Sequence, residues 1–206
     1  MNLANSFFIL FLKFLNKIKL FYYLELYFNS SILNSTEDWL LYEMTDKKDN
    51  NLLYKATRDG FNPSAFHSCC DGKKSTITII KNNLNYVFGG YASKAWDCNC
   101  NEWISDSDAF IFSLRRDGIS KNEKYVIKNP QYAYYSNFLS SWLFSFGDCD
   151  IVVKANSNTE TGSYTQFGYS YRLPEGFAYG SRSANDYLSG NYHNWLTTEI
   201  EVFQLE

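Results

Sequence analysis

The most reactive side chains of the sequence lie together in one turn-rich stretch, RDGFNPSAFHSCCDGKKSTITIIK, from Arg58 to Lys81. A thiol nucleophile needs an imidazole within hydrogen-bond reach, a third group that orients the imidazole, and N–H donors for an oxyanion. His67 and Cys70 are three residues apart and would be neighbours on one helical turn. Their side chains would then point the same way instead of converging across a cleft, so the spacing gives little support for a Cys-His nucleophile.

A zinc site is the second candidate chemistry, because soft metal ligands lie in this stretch and in a later loop. The residues are His67, Cys69, Cys70, Cys98 and Cys100. A structural zinc usually draws two ligands from each of two short loops with spacings such as C-x2-C, and the sequences HSCC and CNC lack that spacing. We therefore expect no metal and no cofactor.

Reversible oxidation of a loop thiol, Cys98 or Cys100, is a third chemistry. A reactive thiol needs a lowered pKa, which comes from nearby cations or a helix N-terminus. Lys94 is the one nearby cation in the sequence, while Asp97 and Glu102 would act in the opposite direction. We expect loop thiols without a function, and no catalytic residue.

Composition limits the class of protein and its partners. The chain has 206 residues, of which 45% are hydrophobic and 20% charged, which suits one folded domain; the aromatic share of 19% favours β-structure. A net charge of −3 without a basic cluster predicts no nucleic-acid partner. Five cysteines are an odd number, and the adjacent pair Cys69-Cys70 would make a strained disulfide, so we expect reduced thiols and a cytoplasmic location.

Two short helices are predicted before the strands begin. Asn34 or Ser35 is placed to cap the first helix, because the sequence STED resembles a capping box with acids in its first turn. Asn62 at a cap position, followed by Pro63 at the first helical position, predicts the second. Its buried face would hold Phe66 and one of the adjacent cysteines.

Alternating sequences predict the strands. STITIIK places Ile77 and Ile79 on one face and forms a hairpin with YVFGGYA, in which Gly89-Gly90 marks a bulge or a close backbone approach. Further strands are predicted at DAFIFSLRR, KYVIK, YAYYS, DIVVK, FGYSYRLP, NDYLSG and TEIEVFQL, with a turn at RDGISKN. The pattern predicts an α+β, mainly β fold: an antiparallel β-sandwich of two sheets with short flanking helices.

Four acidic residues have simple structural interpretations. Asp59 and Asp71 each precede a glycine, so they are expected to serve in turns and caps. Glu199 and Glu201 alternate with apolar residues and are expected on the solvent face of the last strand.

The amino-terminal residues 1–30 form an apolar and basic extension ahead of the domain, residues 31–206. Phe8, Phe11 and Leu15 fall at helical spacing, which predicts an amphipathic helix. Lys13 and Lys17 interrupt any stretch long enough to span a bilayer. The helix could pack on the domain or a partner, contact a membrane surface, or be a signal or anchor; a misassigned start codon is a further alternative.

Taken in order, the segments resemble the TLDc domain, a module found beside TBC and LysM domains and in the oxidation-resistance protein family. The matching sequences are LLYKATRDGF (52–61), FHSCCDGKKSTITIIK (66–81), VFGGYASKAW (87–96), DAFIFSL (108–114), FGDCDIVV (146–153), YTQFGYSY (164–171), YLSGNY (187–192) and EIEVF (199–203). By resemblance, Gly60, Gly89, Gly90 and Gly168 are usual glycine positions, and Trp96 and Phe203 fill the core. Cys149 departs from the pattern, since relatives commonly have His there, while Cys70 matches a common cysteine.

The resemblance implies a protein-interaction module without catalytic residues, because none is established for the family. Its members protect cells against oxidative damage, and several bind the vacuolar proton-pumping ATPase. We therefore expect a non-enzymatic cytoplasmic protein, peripheral at an internal membrane if the extension contacts one, with pump subunits as the expected partner. The alternative is a thiol-based redox-active or hydrolytic enzyme that uses Cys70 or Cys98.

Overall fold

The computed structural model describes residues 28–47, 49–97, 102–135 and 141–206. Within them the chain forms four short helices and ten strands. The helices are α1 (Ser35–Thr45), α2 (Ala56–Asp59), α3 (Pro63–Cys70) and α4 (Arg182–Asp186), with a 3-10 turn at Pro130–Tyr132. The strands are β1 (Asn50–Lys55), β2 (Thr76–Asn82), β3 (Val87–Ala92), β4 (Trp103–Ile104), β5 (Phe110–Arg116), β6 (Ile119–Val126), β7 (Tyr134–Tyr135), β8 (Trp142–Phe146), β9 (Ile151–Lys154) and β10 (Thr197–Leu205).

The strands form two antiparallel sheets. The larger sheet has six strands in the order β1-β10-β2-β3-β5-β6, and the smaller has four in the order β4-β7-β8-β9. The last strand, β10, lies between β1 and β2, so the last described strand pairs with the first. This architecture confirms the predicted fold class, a mainly β protein of two antiparallel sheets with short helices.

The larger sheet has an apolar cluster on each of its faces. The main core lies between the two sheets and contains Phe66, Trp96, Phe144 and Phe146, all of them almost fully buried. The outer cluster lies on the opposite face, under α1. It consists of Phe28, Ile32, Leu40, Leu41, Met44, Ile77, Ile79, Val87, Phe110, Phe112, Leu114, Phe203 and Leu205. Alternation along β2 divides its residues between the two clusters, as the sequence predicts.

The helix starts follow the predicted caps. The Asn34 side chain accepts a hydrogen bond from the Glu37 backbone N–H at 3.0 Å, and the Glu37 carboxylate accepts one from the Asn34 N–H at 3.1 Å. These two bonds complete a capping box at the start of α1. At α3, Asn62 accepts from the Ala65 N–H at 2.9 Å, with Pro63 as the first helical residue.

Gly89 and Gly90 lie where neighbouring groups leave no room for a side chain. A Cβ at Gly89 would lie 1.9 Å from the carbonyl oxygen of Thr78, and one at Gly90 would lie 2.6 Å from the Phe146 ring. The predicted close backbone approach is therefore confirmed at Gly89, whereas the neighbour of Gly90 is a side-chain ring.

The predicted turn at RDGISKN is confirmed at Asp117-Gly118, and β6 begins directly after it. Two secondary-structure predictions are wrong. FGYSYRLP is mostly turns, and NDYLSG holds the end of α4 and a turn. In the first case the backbone N–H groups of Gly168 and Ser170 donate to the Asp150 side chain at 2.8 and 2.9 Å, which replaces the hydrogen bonds of a strand ladder. Strand β8 was not predicted.

The interpretation of Glu199 and Glu201 as a solvent face is also wrong. They are 8% and 1% exposed. Glu201 accepts hydrogen bonds from Ser30 and Ser31, and Glu199 accepts from Thr57. The error arises because Ser30 and Ser31, which precede β1, and Thr57, which follows it, cover this end of β10. Alternation alone cannot reveal such a cover.

The predicted amphipathic helix falls in residues 1–27, outside the described residues. The described chain starts at Phe28, whose ring is 1% exposed and packs edge-on against Phe203 with a centroid distance of 5.5 Å. A truncation that removes the extension should therefore keep Phe28. Among the described residues, no helix combines the length and apolar character needed to cross a bilayer.

Candidate interaction surface

Helix α3 contains His67, Cys69 and Cys70, and it packs one face on the main core. Phe66 and Cys70 are fully buried on that face, and Cys69 is half-buried beside them. Phe66 contacts the rings of Tyr54 and Trp96 edge-on, with centroid distances of 5.6 and 5.3 Å. The helix therefore has its apolar face fixed between the two sheets.

The geometry around Cys70 does not favour a nucleophile. Burial raises the pKa of its thiol, and the negative charges of Cys69 and Asp71 act in the same direction. A catalytic cysteine needs the opposite, a lowered pKa and access to substrate. His67 is 3% exposed, and its Nδ1 lies 2.8 Å from the Asp71 Oδ1, so the pair ties the last turn of α3 to its C-terminal cap.

Metal-ligand geometry is likewise not found in the part of the chain that the structure describes. There, no group of three or more His, Cys, Asp or Glu side chains is placed to hold a metal ion. Cys98 and Cys100 lie outside the described residues. The expectations of no catalytic residue, metal or cofactor stay predictions.

Cys149 occupies an unusual backbone position in the turn before β9. Its φ of 74° is left-handed, a conformation that costs a residue with a Cβ about 1 kcal/mol or more. Its Sγ lies 3.4 Å from the Tyr164 hydroxyl oxygen, and burial raises the pKa of the thiol. This thiol also lacks the environment of a nucleophile.

A different feature stands out on the smaller sheet. Trp103 of β4 pairs with Tyr135 of β7, and their neighbours Ile104 and Tyr134 pack on the main core. Since side chains alternate along a strand, Trp103 and Tyr135 face away from the core, where they lie half-buried with ring centroids 5.0 Å apart.

Further rings extend this pair into a continuous row, which we call the aromatic ridge. Its members in spatial order are Trp142, Tyr135, Trp103, Tyr132, Tyr169 and Tyr179. Successive ring centroids are 6.1, 5.0, 5.8, 5.9 and 5.9 Å apart. Five of the rings are half-buried, and Tyr179 is 56% exposed.

Two of the ridge tyrosines come from the long connection between β9 and β10, residues 155–196. This connection is rich in Tyr, Ser, Gly and Asn, the residues that dominate antibody binding loops because they combine rigid aromatic contact area with adaptable hydrogen bonding. The structure thus places a paratope-like loop beside an aromatic sheet face.

Asp150 fixes this loop from within the protein. The side chain is fully buried, and it accepts hydrogen bonds from the backbone N–H groups of Gly168, Ser170 and Tyr171 at 2.8, 2.9 and 3.4 Å. Burial raises the pKa of this carboxyl from 3.8 to about 7, and the backbone donors oppose that rise. Tyr169 lies inside the loop that these bonds hold.

The ridge has the properties of a protein-binding surface. Tyrosine and tryptophan offer large apolar area with a polar tip, and both are enriched at interfaces and their energetic hot spots. These rings were not predicted as a surface from the sequence. The available signals were the alternation in YAYYS, which contains Tyr132 and Tyr135, and in FGYSYRLP, which contains Tyr169. The other members come from segments without a clear period.

Comparison with protein families gives a match over nearly the whole chain. The family model described as the TLDc domain matches residues 26–206. The match contains α3, the main core and every member of the aromatic ridge, and it starts just before Phe28.

Proposed function

The chain belongs to the TLDc domain family, and on that premise we propose that it is a non-enzymatic protein-interaction module that binds its partner through the aromatic ridge. The observation that carries the proposal is the continuous row of rings that begins on the outer face of the smaller sheet and continues along the adjoining turn and loop. Hot-spot aromatics of this kind supply most of the affinity of an interface.

The environments of the thiols support the non-enzymatic part of the proposal. Cys70 is fully buried, and burial raises the pKa of its thiol. Burial also raises the pKa of the Cys149 thiol. Neither residue would be ionised and accessible near neutral pH, as a thiol nucleophile must be.

We further propose that the partner is a subunit of the vacuolar proton-pumping ATPase, and that binding contributes to protection against oxidative stress in the cytoplasm. These proposals rest on the resemblance to family members with those properties.

Affinity capture followed by mass spectrometry tests the proposal. The full chain is expected to recover pump subunits, and the double variant Trp103→Ala, Tyr132→Ala is expected to lose them. Tyr91→Ala is the matched control, because Tyr91 is a half-buried ring on the opposite side of the larger sheet, stacked on Phe110 at 5.1 Å. Recovery of no pump subunit, while a family member captures them in parallel, would refute the partner; equal recovery by wild type and ridge variant would refute the surface.

A further inference from the structure

The segment that leads into α1, residues 28–33, lies across the outer cluster, and we call it the amino-terminal strap. The side chains of Phe28 and Ile32 are 1% and 4% exposed and belong to that cluster. The N–H of Phe28 donates to the Asp38 carboxylate at 2.9 Å. The strap has no helical or strand hydrogen bonds of its own, so side chains must hold it in place.

One buried carboxylate, Glu201, holds the two serines of the strap. Glu201 is 1% exposed and accepts from the Ser30 hydroxyl, the Ser31 hydroxyl at 2.7 Å and the Ser31 N–H at 3.1 Å. Lys55 compensates the charge, with its Nζ 3.2 Å from Glu201 Oε1 and 2.6 Å from the Ser31 hydroxyl oxygen. A buried carboxylate with one cation tolerates hydroxyl donors well and a second anion poorly.

The two serines differ in accessibility. Ser30 is half-buried, and its hydroxyl oxygen also accepts from the N–H groups of Ile32 and Leu33 at 3.0 and 3.3 Å. Ser31 is exposed and lies in irregular backbone, where a modifying enzyme can reach it. We propose that Ser31 is a phosphorylation site and that its modification releases the amino-terminal strap from the larger sheet.

The reaction is ordinary phosphoryl transfer by a protein kinase with a nucleoside triphosphate as the phosphoryl donor. The Ser31 oxygen forms a bond to the γ-phosphorus, the bond from that phosphorus to the bridging oxygen breaks, and the hydroxyl proton leaves to a base of the kinase. The hydroxyl that donated to Glu201 is lost. A group with a charge of about −1.5 to −2 replaces it beside the buried carboxylate, with Lys55 as the compensating cation.

The expected result is release of the amino-terminal strap without α1, because α1 is held by an ion pair of its own. The Arg115 Nε donates to Glu37 at 2.7 Å, and another nitrogen of the same guanidinium donates to the Ile32 carbonyl oxygen at 3.3 Å. Neither bond involves the strap serines. Detachment of the strap would uncover the places of Phe28 and Ile32 in the outer cluster, creating an apolar surface that the unmodified protein hides.

Ser35 provides a matched control. It is exposed, lies four residues further along, and is the first residue of α1. A negative charge at a helix N-terminus stabilises the helix, so phosphate at this position is expected to act in the opposite direction from phosphate at Ser31.

The test uses the full chain with phosphoserine incorporated at position 31 or at position 35. The measured quantity is the rate of amide hydrogen exchange at Ser31 and Ile32, whose N–H groups are hydrogen-bonded in the unmodified protein. Phosphoserine at position 31 is expected to accelerate their exchange at least about tenfold, and phosphoserine at position 35 to leave it unchanged or slower. Glu201→Gln should reduce the acceleration of exchange caused by phosphoserine at position 31, because this substitution removes the negative charge that repels the phosphate.

Two results would overturn the proposal. Unchanged or slower exchange with phosphoserine at position 31 would show that the strap accommodates the phosphate. Failure to detect the Ser31 phosphopeptide in cells of the native source, with and without oxidant, where the unmodified peptide is detected, would remove the modification itself.

Discussion

Helix α3 carries reactive residue types but packs on the core, whereas the aromatic ridge carries residue types typical of a core but lies at the surface. The helix carries His67, Cys69 and Cys70, which suggest chemistry, yet its inner face is sealed in the main core. The ridge consists of Trp and Tyr residues that a sequence would assign to a core, yet they form a row outside the core, on the smaller sheet and the turn and loop beside it. Chemical type alone therefore indicates function poorly, and burial decides between the two interpretations.

The physical reason is the different effect of burial on each group. Burial disfavours ionisation of a thiol, which removes the reactivity of Cys70. An aromatic ring at a surface keeps apolar area in contact with water, and a binding partner can bury that area later. Desolvation therefore makes the thiol of α3 inert, whereas the hydrophobic effect makes the ridge a candidate interface.

The largest expected effect distinguishes a core ring from a ridge ring. Phe66→Ala should lower the free energy of unfolding by about 3 to 5 kcal/mol, because it leaves a cavity where Tyr54, Trp96 and Phe144 now meet the ring. Urea unfolding gives the value. Tyr132→Ala is the ridge counterpart and should cost no more than about 1 kcal/mol; equal costs would remove the contrast between the two regions.

The second effect concerns whether Cys70 is a packing residue. Cys70→Ser should cost about 1 to 3 kcal/mol, because it introduces a hydroxyl into the main core. The same replacement at half-buried Cys69 should cost less than about 0.5 kcal/mol. Chemical denaturation of both variants under reducing conditions measures the difference. A reversal of this order would mean that the burial of the two thiols differs from that described.

The third effect is a pH dependence at the base of the ridge. The pKa of Asp150 is raised from 3.8 to about 7, so its stabilising contribution is full below about pH 4 and is lost as the pH rises through 7. Asp150→Asn removes this titration while keeping the shape. The free energy of unfolding, measured from pH 4 to pH 8, should therefore fall with pH more steeply in the wild type than in the variant; parallel curves would contradict a raised pKa.

The smallest expected effect on stability lies at the exposed end of the ridge. Tyr179→Ala should change the free energy of unfolding by less than about 0.5 kcal/mol, since 56% of the residue is exposed. Thermal unfolding at several scan rates measures it. A larger loss would indicate that this ring belongs to the core and not to a binding surface.

The fold was largely predictable from the sequence because local rules were obeyed. The cap at Asn62, the proline after it and the alternation of β2 and β5 each have a short-range physical cause. The loop that Asp150 holds was not predictable, since its hydrogen bonds join residues about twenty positions apart through a buried side chain.

The candidate site was much less predictable than the fold. Trp103 comes from a segment without a period, and Tyr132 comes from YAYYS, of which only Tyr134–Tyr135 forms a strand. The rings of Trp103 and Tyr169 both contact the Tyr132 ring, through the packing of a short sheet against a long loop. The exposure of Glu201 was mispredicted for the same reason, because the strap that covers it is distant in sequence. Long-range covers of this kind leave no trace in local alternation.

The most direct test of the central claim is the affinity for the captured partner, measured by titration of three purified proteins. The first is the wild type, the second carries Trp103→Ala and Tyr132→Ala, and the third carries Cys69→Ser and Cys70→Ala. Circular dichroism confirms first that each variant is folded. The ridge variant is predicted to bind at least about tenfold more weakly, a loss of about 1.4 kcal/mol or more, and the thiol variant to bind like the wild type. Wild-type affinity in the ridge variant, or lost affinity in the folded thiol variant, would contradict the account.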